Sequence, residues 1–167
     1  MYKRIMIVVD DDPITPAALS EGLDVAAKYG AEVLFFHVMP NYVAPVVAGD
    51  VMPLDLVTSR EHDRHVKERA DKILAAAAAQ AAALAVPSQG AVGTGANAAE
   101  CVANAAEQWC CDLIVVGSHG RTAFQRLIHG SLAAGLLPLT SKPTLICKKR
   151  SGEPPHAGPA PGGAIGN

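Results

Sequence analysis

The stretch Leu113-Ile114-Val115-Val116-Gly117-Ser118-His119-Gly120 decides how the chain is read. Four apolar residues in succession, three of them β-branched, have no polar face to turn toward water. They therefore predict a strand buried on both sides. The run stops at Gly117, where the backbone can turn sharply. Gly120 follows, and Gly130-Ser131 closes the spacing Gly-x2-Gly-x9-Gly-Ser. Glycines after a buried strand let main-chain N–H groups approach an anion. A helix starting near Ser131 adds its positive N-terminal end, and the combination suits phosphate.

Charge points the same way. The chain is slightly acidic, with 14 Lys and Arg against 16 Asp and Glu, yet there is no acidic residue between Asp112 and Glu153. Arg121, Arg126, Lys142, Lys148, Lys149 and Arg150 all fall in that interval, which predicts an anionic partner near the glycine loop. Negative net charge and few aromatic residues argue against nucleic acid. No apolar stretch approaches the ~20 residues of a membrane span, and the N-terminus shows no signal-peptide core. The expected location is the cytoplasm. The four cysteines form no C-x-x-C pair, so they are expected as buried, reduced thiols.

Working outward, apolar runs and helical patterns alternate. Ile5–Val9 predicts the first strand. Thr15-Pro16 reads as a helix start and Gly30 as its stop. Val33–Val38 predicts the second strand, and the Thr58–Glu61 capping box a long helix to about Leu84. A weak strand is expected over Ala85–Val92, at an edge because of Pro87 and Gly90. Asn97 and Glu100 open the next helix, with Trp109 packing on its inner side. The helix after Ser131 is short because Pro138 interrupts it. Thr144–Lys148 is the fifth strand. The pattern predicts a single α/β domain, a parallel sheet with helices on both faces. In strand order 3-2-1-4-5, Asp10 would lie beside Gly117, where ligands bind such sheets. Residues 39–57, apolar but broken by prolines, are long for a loop and expected as a flexible flap. The Gly- and Pro-rich residues 151–167 are expected to be a disordered tail.

The opening Met1-Tyr-Lys-Arg-Ile5, Asp10, His37-Val38, the segment Asp112–Arg121 and the glycine spacing together resemble the universal stress protein family, over about residues 1–150. The resemblance implies a Rossmann-like, adenine nucleotide alpha hydrolase-like five-stranded fold that binds ATP. Gly117, Gly120, Gly130, Ser131 and the Leu132 amide would hold ribose and phosphates. Asp10 would contact the nucleoside, and Val8, Val9, Val38 and Val116 would lie at the adenine pocket. The resemblance also implies a homodimer through the strand at 144–148 and a role in stress response or signalling with an unidentified partner protein. Three departures stand out. Asp10-Asp11-Asp12-Pro13 replaces the usual Asp-Gly-Ser, and these carboxylates would repel a triphosphate unless a cation such as Mg²⁺, held by Asp10 through the phosphates, intervenes. Pro138 falls in the last helix, and Leu132 replaces Val.

Two other readings stay open at this point: slow ATP hydrolysis or autophosphorylation, and a dimeric scaffold without nucleotide. Against catalysis, no Walker lysine follows the glycines and no residue is an evident base. His119 and His129 beside the loop lack a paired nucleophile. His62 and His65 lack a third metal ligand and read as a solvated helix face.

Overall fold

A computed structural model describes residues 1–12, 15–40, 54–118 and 132–148. Five strands, β1 (Arg4–Val8), β2 (Glu32–Pro40), β3 (Ser88–Gly95), β4 (Leu113–Ser118) and β5 (Thr144–Lys148), form one sheet in order β3-β2-β1-β4-β5. Every pairing is parallel. The helices are α1 (Thr15–Tyr29), α2 (Leu54–Ala83), α3 (Ala98–Gln108) and the single turn and a half of α4 (Leu132–Leu136).

Alternation along the strands sorts the core into two layers. Ile5, Ile7, Val9, Val33, Phe35 and Val115 pack with residues of α1 and α2. Met6, Val8, Leu34, Phe36, Ile114 and Val116 pack with residues of α3 and α4. Ile5, Met6, Ile7, Ile114 and Val115 are completely shielded from solvent, as the unbroken apolar runs require. Each such aliphatic side chain contributes roughly 1.5–3 kcal/mol by leaving water. At Gly22, α1 comes so close to the sheet that a Cβ would lie 2.6 Å from Cδ1 of Ile7.

Several boundaries differ from the sequence reading. β2 runs through Met39 and Pro40, and α2 starts at Leu54 rather than at the Thr58 capping box. Of the segment expected as a flap, residues 39–40 and 54–57 belong to β2 and α2, and residues 41–53 lie outside the described residues. β3 is an edge strand, as Pro87 implied, but it starts after that proline, at Ser88. α4 ends at Leu136, two residues before Pro138. Asn97 caps α3 as expected: its Oδ1 accepts the N–H groups of Ala99 and Glu100, and its Nδ2 donates to Glu100.

The three longer helices end alike. In each, one residue takes a left-handed conformation: Gly30 (φ 65°), Ala85 (φ 54°) and Cys110 (φ 52°). The next N–H reaches back to a carbonyl five residues earlier, as Ala31 to Ala26, Val86 to Ala81 and Cys111 to Ala106. Ala31, Val86 and Cys111 are themselves buried. This is the Schellman closure, which turns each helix onto the sheet. Only the first uses glycine, so the sequence advertises only the first.

At the N-terminal ends of the strands, Arg4 bridges three elements. Its guanidinium donates to Glu32 of β2 and to the carbonyl of Trp109, just past α3. Asp112 accepts the N–H of Lys3 at 2.8 Å. Trp109 packs against the α3/α4 layer, as expected. Of the thiols, Cys111 and Cys147 are buried and Cys101 half-buried, but Cys110 is exposed, because the left-handed turn points it outward.

Ala85→Gly and Cys110→Gly should each stabilise the fold. A left-handed L-residue costs roughly 1–2 kcal/mol, and the added freedom of an unfolded glycine returns roughly 0.4–1 kcal/mol of that. Scanning calorimetry should show Tm rising by about 2–4 °C per kcal/mol gained, while Gly30→Ala lowers it. Burial pushes the Cys111 and Cys147 thiols up from 9.0 to about 11. Above pH 9 the unfolded chain releases these protons and the native chain keeps them. Their contribution is therefore whole below pH 9 and lost as pH rises through 11. Urea titrations across that range should show falling stability, with a shallower fall in Cys147→Ala.

Candidate functional site

The site lies at the carboxyl ends of β1 and β4. β1 pairs with β2 as far as Val8↔Phe36, and β4 pairs with β5 as far as Ser118↔Lys148. Between β1 and β4, however, pairing stops at Ile7↔Val115. Chain connections leave these two strands in opposite directions across the sheet, so a crevice opens between them. Val8 and Asp10 stand on one side of it, and Val116 and Gly117 on the other.

The expected site residues divide into three groups. Val8, Val38 and Val116 share the α3/α4 face at this end of the sheet, beside Phe36 and partly buried Leu132. Val9 belongs to the opposite face, packed with Leu19 and Leu23 of α1. Its amide donates to Phe36 at 2.9 Å. Gly120, Gly130, Ser131, His119 and His129 lie outside the described residues, as do Arg121, Arg126, Lys149 and Arg150. Lys148 ends β5 at the crevice end. Lys142 precedes β5 at the far end of the sheet and pairs with Glu107 at 3.2 Å. The basic cluster expected around the loop therefore does not include Lys142.

Asp10 has a structural task. Its Oδ1 accepts the Asp12 N–H at 3.0 Å and the Thr15 hydroxyl, while its own N–H faces Thr15 Oγ1. The turn thus closes on the first residue of α1 and gives the helix N-terminus a carboxylate. Asp11 diverges from it: its carboxylate pairs with Arg69 of α2, both groups being exposed. The three aspartates therefore do not converge on one point. Among the described residues no group of three His, Cys, Asp or Glu is arranged to hold a metal. A Mg²⁺ ion bridged by the whole aspartate run does not fit this arrangement. His65 lies on an exposed face of α2 beside Glu68, the solvated arrangement expected of it.

One residue at the site carried only a faint signal. His37, next to Val38, is 9% exposed, the one buried polar residue among those described. Its Nδ1 lies 2.8 Å from the carbonyl oxygen of Val9. A carbonyl only accepts, so Nδ1 carries the proton and donates. The ring thereby fixes the peptide that leads from β1 into Asp10. A histidine inside an otherwise apolar strand was the available clue.

His37→Leu should leave the Val9 carbonyl without its donor, at a cost of about 1–3 kcal/mol. Urea unfolding should show a lower midpoint with an unchanged slope. An unaltered midpoint would mean that the hydrogen bond is dispensable.

A family model described as the universal stress protein family matches residues 1–148. Universal stress protein MJ0531 of Methanocaldococcus jannaschii is 27% identical over 152 residues, covering 89% of this chain and 84% of that protein. Among solved structures, a universal stress protein in complex with cAMP superposes with TM-score 0.64 at 20% identity, covering 87% of this chain and 96% of the other. An Arabidopsis thaliana protein of the same family, with AMP bound, gives TM-score 0.65 at 17% identity, covering 89% and 93%. These structural likenesses establish the Rossmann-like α/β fold.

Proposed function

We propose that this chain, which belongs to the universal stress protein family, binds an adenine nucleotide, ATP in the first instance, in the crevice between β1 and β4. The observation that carries this reading is the end of pairing at Ile7↔Val115. It leaves room for a ligand between a strand ending in Asp10 and one leading into Gly117. The related proteins solved with cAMP and with AMP support adenosine as the recognised group.

In this reading Val8, Val38 and Val116 flank the adenine from the α3/α4 face. Asp10 meets the ribose with the carboxylate oxygen that α1 does not use. Gly117, Gly120, Gly130, Ser131 and the Leu132 amide hold ribose and phosphates through main-chain donors, which need glycine for close approach. Val9 acts through its backbone, since its side chain faces the other layer. Any Mg²⁺ reaches Asp10 only through the phosphates. The proposed action is a binding switch. Nucleotide favours one conformation of a homodimer joined at β5, whose outer edge has no strand neighbour among the described residues. The shift then alters a surface read by a signalling partner in the cytoplasm. Such a ligand works only through unequal affinity for the two conformations. Hydrolysis is not part of the proposal.

Calorimetric titration of ATP, AMP and cAMP, with and without Mg²⁺, into wild type and Gly130→Asp tests it. Wild type should bind, and the variant should bind at least about a hundredfold more weakly, because a carboxylate would occupy the phosphate position. Wild-type protein that binds none of the three would overturn the reading in favour of a scaffold.

A further inference from the structure

A side chain makes the last link between β1 and β2. The register of the two strands ends at Val8↔Phe36. Val9 adds one main-chain bond, its N–H donating to the Phe36 carbonyl at 2.9 Å. In a continuing parallel ladder the Val9 carbonyl would accept from the main chain of β2. It accepts instead from Nδ1 of His37, at 2.8 Å. Alternation along β2 puts that ring on the α1/α2 face with Phe35 and Val9, and it is buried there. A buried carbonyl needs a donor. The imidazole supplies one from the face of the sheet, so β1 can leave the ladder here without orphaning the carbonyl.

The peptide held in this way is the one that aims Asp10. Side chains from two different elements grip both of its polar atoms. His37 of β2 holds the Val9 oxygen, and Thr15 Oγ1, at the start of α1, faces the Asp10 N–H at 3.4 Å. The Thr15 hydroxyl and the Asp12 N–H both donate to Asp10 Oδ1, which leaves Oδ2 outside these bonds. Of the two grips on the peptide, the His37 bond is the shorter and the better shielded. A peptide freed at its oxygen can rotate and carry the Asp10 carboxylate with it. A hydrogen bond from a ligand hydroxyl to that carboxylate weakens steeply once its angle is lost.

We propose that His37 is a positioning residue for ribose recognition. By fixing the Val9–Asp10 peptide, it aims the Asp10 carboxylate at the sugar hydroxyls of a nucleotide in the β1/β4 crevice. This inference rests on the nucleotide-binding reading above. It adds that selectivity for an intact ribose is set from β2, by a ring on the opposite face of the sheet from Val8, Val38 and Val116.

The test compares ATP with 2′,3′-dideoxy-ATP, which lacks both sugar hydroxyls. Each is titrated calorimetrically into wild type, His37→Asn and His37→Gln, at a temperature where circular dichroism shows the protein folded. The amide nitrogen of Asn lies as many bonds from the backbone as Nδ1 and can replace it as donor. That of Gln corresponds to Nε2 and cannot. Wild type should prefer ATP by about tenfold, the worth of one hydrogen bond to a charged group. His37→Asn should keep that preference, and in His37→Gln it should shrink to about twofold or less. A merely structural role would weaken both nucleotides alike. An unchanged ratio in His37→Gln therefore overturns the proposal, as does an equal loss of preference in His37→Asn. Wild type that binds both nucleotides equally overturns it while nucleotide binding itself stands. Wild type that binds neither removes that reading as well. One measurement needs no variant. In alkaline buffer, where imidazole is neutral, long-range proton–nitrogen NMR spectra of the wild type should show His37 with its proton on Nδ1. A proton on Nε2 overturns the proposal, because Nδ1 could not then donate.

Discussion

Burial of β1 and β4 on both faces is the constraint from which the rest follows. Ile5, Met6, Ile7, Ile114 and Val115 have no contact with solvent, so helices must cover the sheet above and below. Helices that cross over either face return the chain to the same end of the sheet, which makes the strands parallel. Parallel strands all end on one side, and the two central ones lead their chains apart. The crevice between Val8 and Val116 is a consequence of that routing rather than of any particular side chain.

The β1–α1 turn shows how one short segment serves several demands. Asp10 closes the turn onto Thr15, Asp11 ties it to α2 through Arg69, and His37 holds the preceding peptide from β2. Of these, the His37 bond is the best shielded and hence the strongest constraint. The Asp11–Arg69 pair is exposed and contributes at most about 1 kcal/mol. The turn is therefore anchored firmly at its base and loosely at its tip, an arrangement compatible with a ligand adjusting the tip.

Helix termination follows a similar logic at the other end of the sheet. Three Schellman turns carry α1, α2 and α3 into β2, β3 and β4, and each seats a buried residue immediately after the left-handed one. Burial of Val86 and Cys111 offsets the strain at Ala85 and Cys110, which explains how non-glycine residues are tolerated there. Arg4, meanwhile, reaches the carbonyl of Trp109 at the close of α3. A cation there favours the negative end of the helix.

The repeating plan is legible in one dimension. The run Leu113–Val116 announced a doubly buried strand, Gly30 a helix stop, Asn97 with Glu100 a helix start, and Pro138 a short last helix. The first follows from a run with no polar face; the others are local effects, decided by backbone freedom or by a side chain reaching its own neighbours. The glycine spacing and the opening residues likewise pointed to the family. Which residues meet across the chain is set by long-range pairing and packing. The separation of Val9 from Val8 onto opposite layers, Lys142 at the far end of the sheet from Lys148, the divergence of Asp11 from Asp10, and the His37 bond to Val9 all depend on register between distant segments.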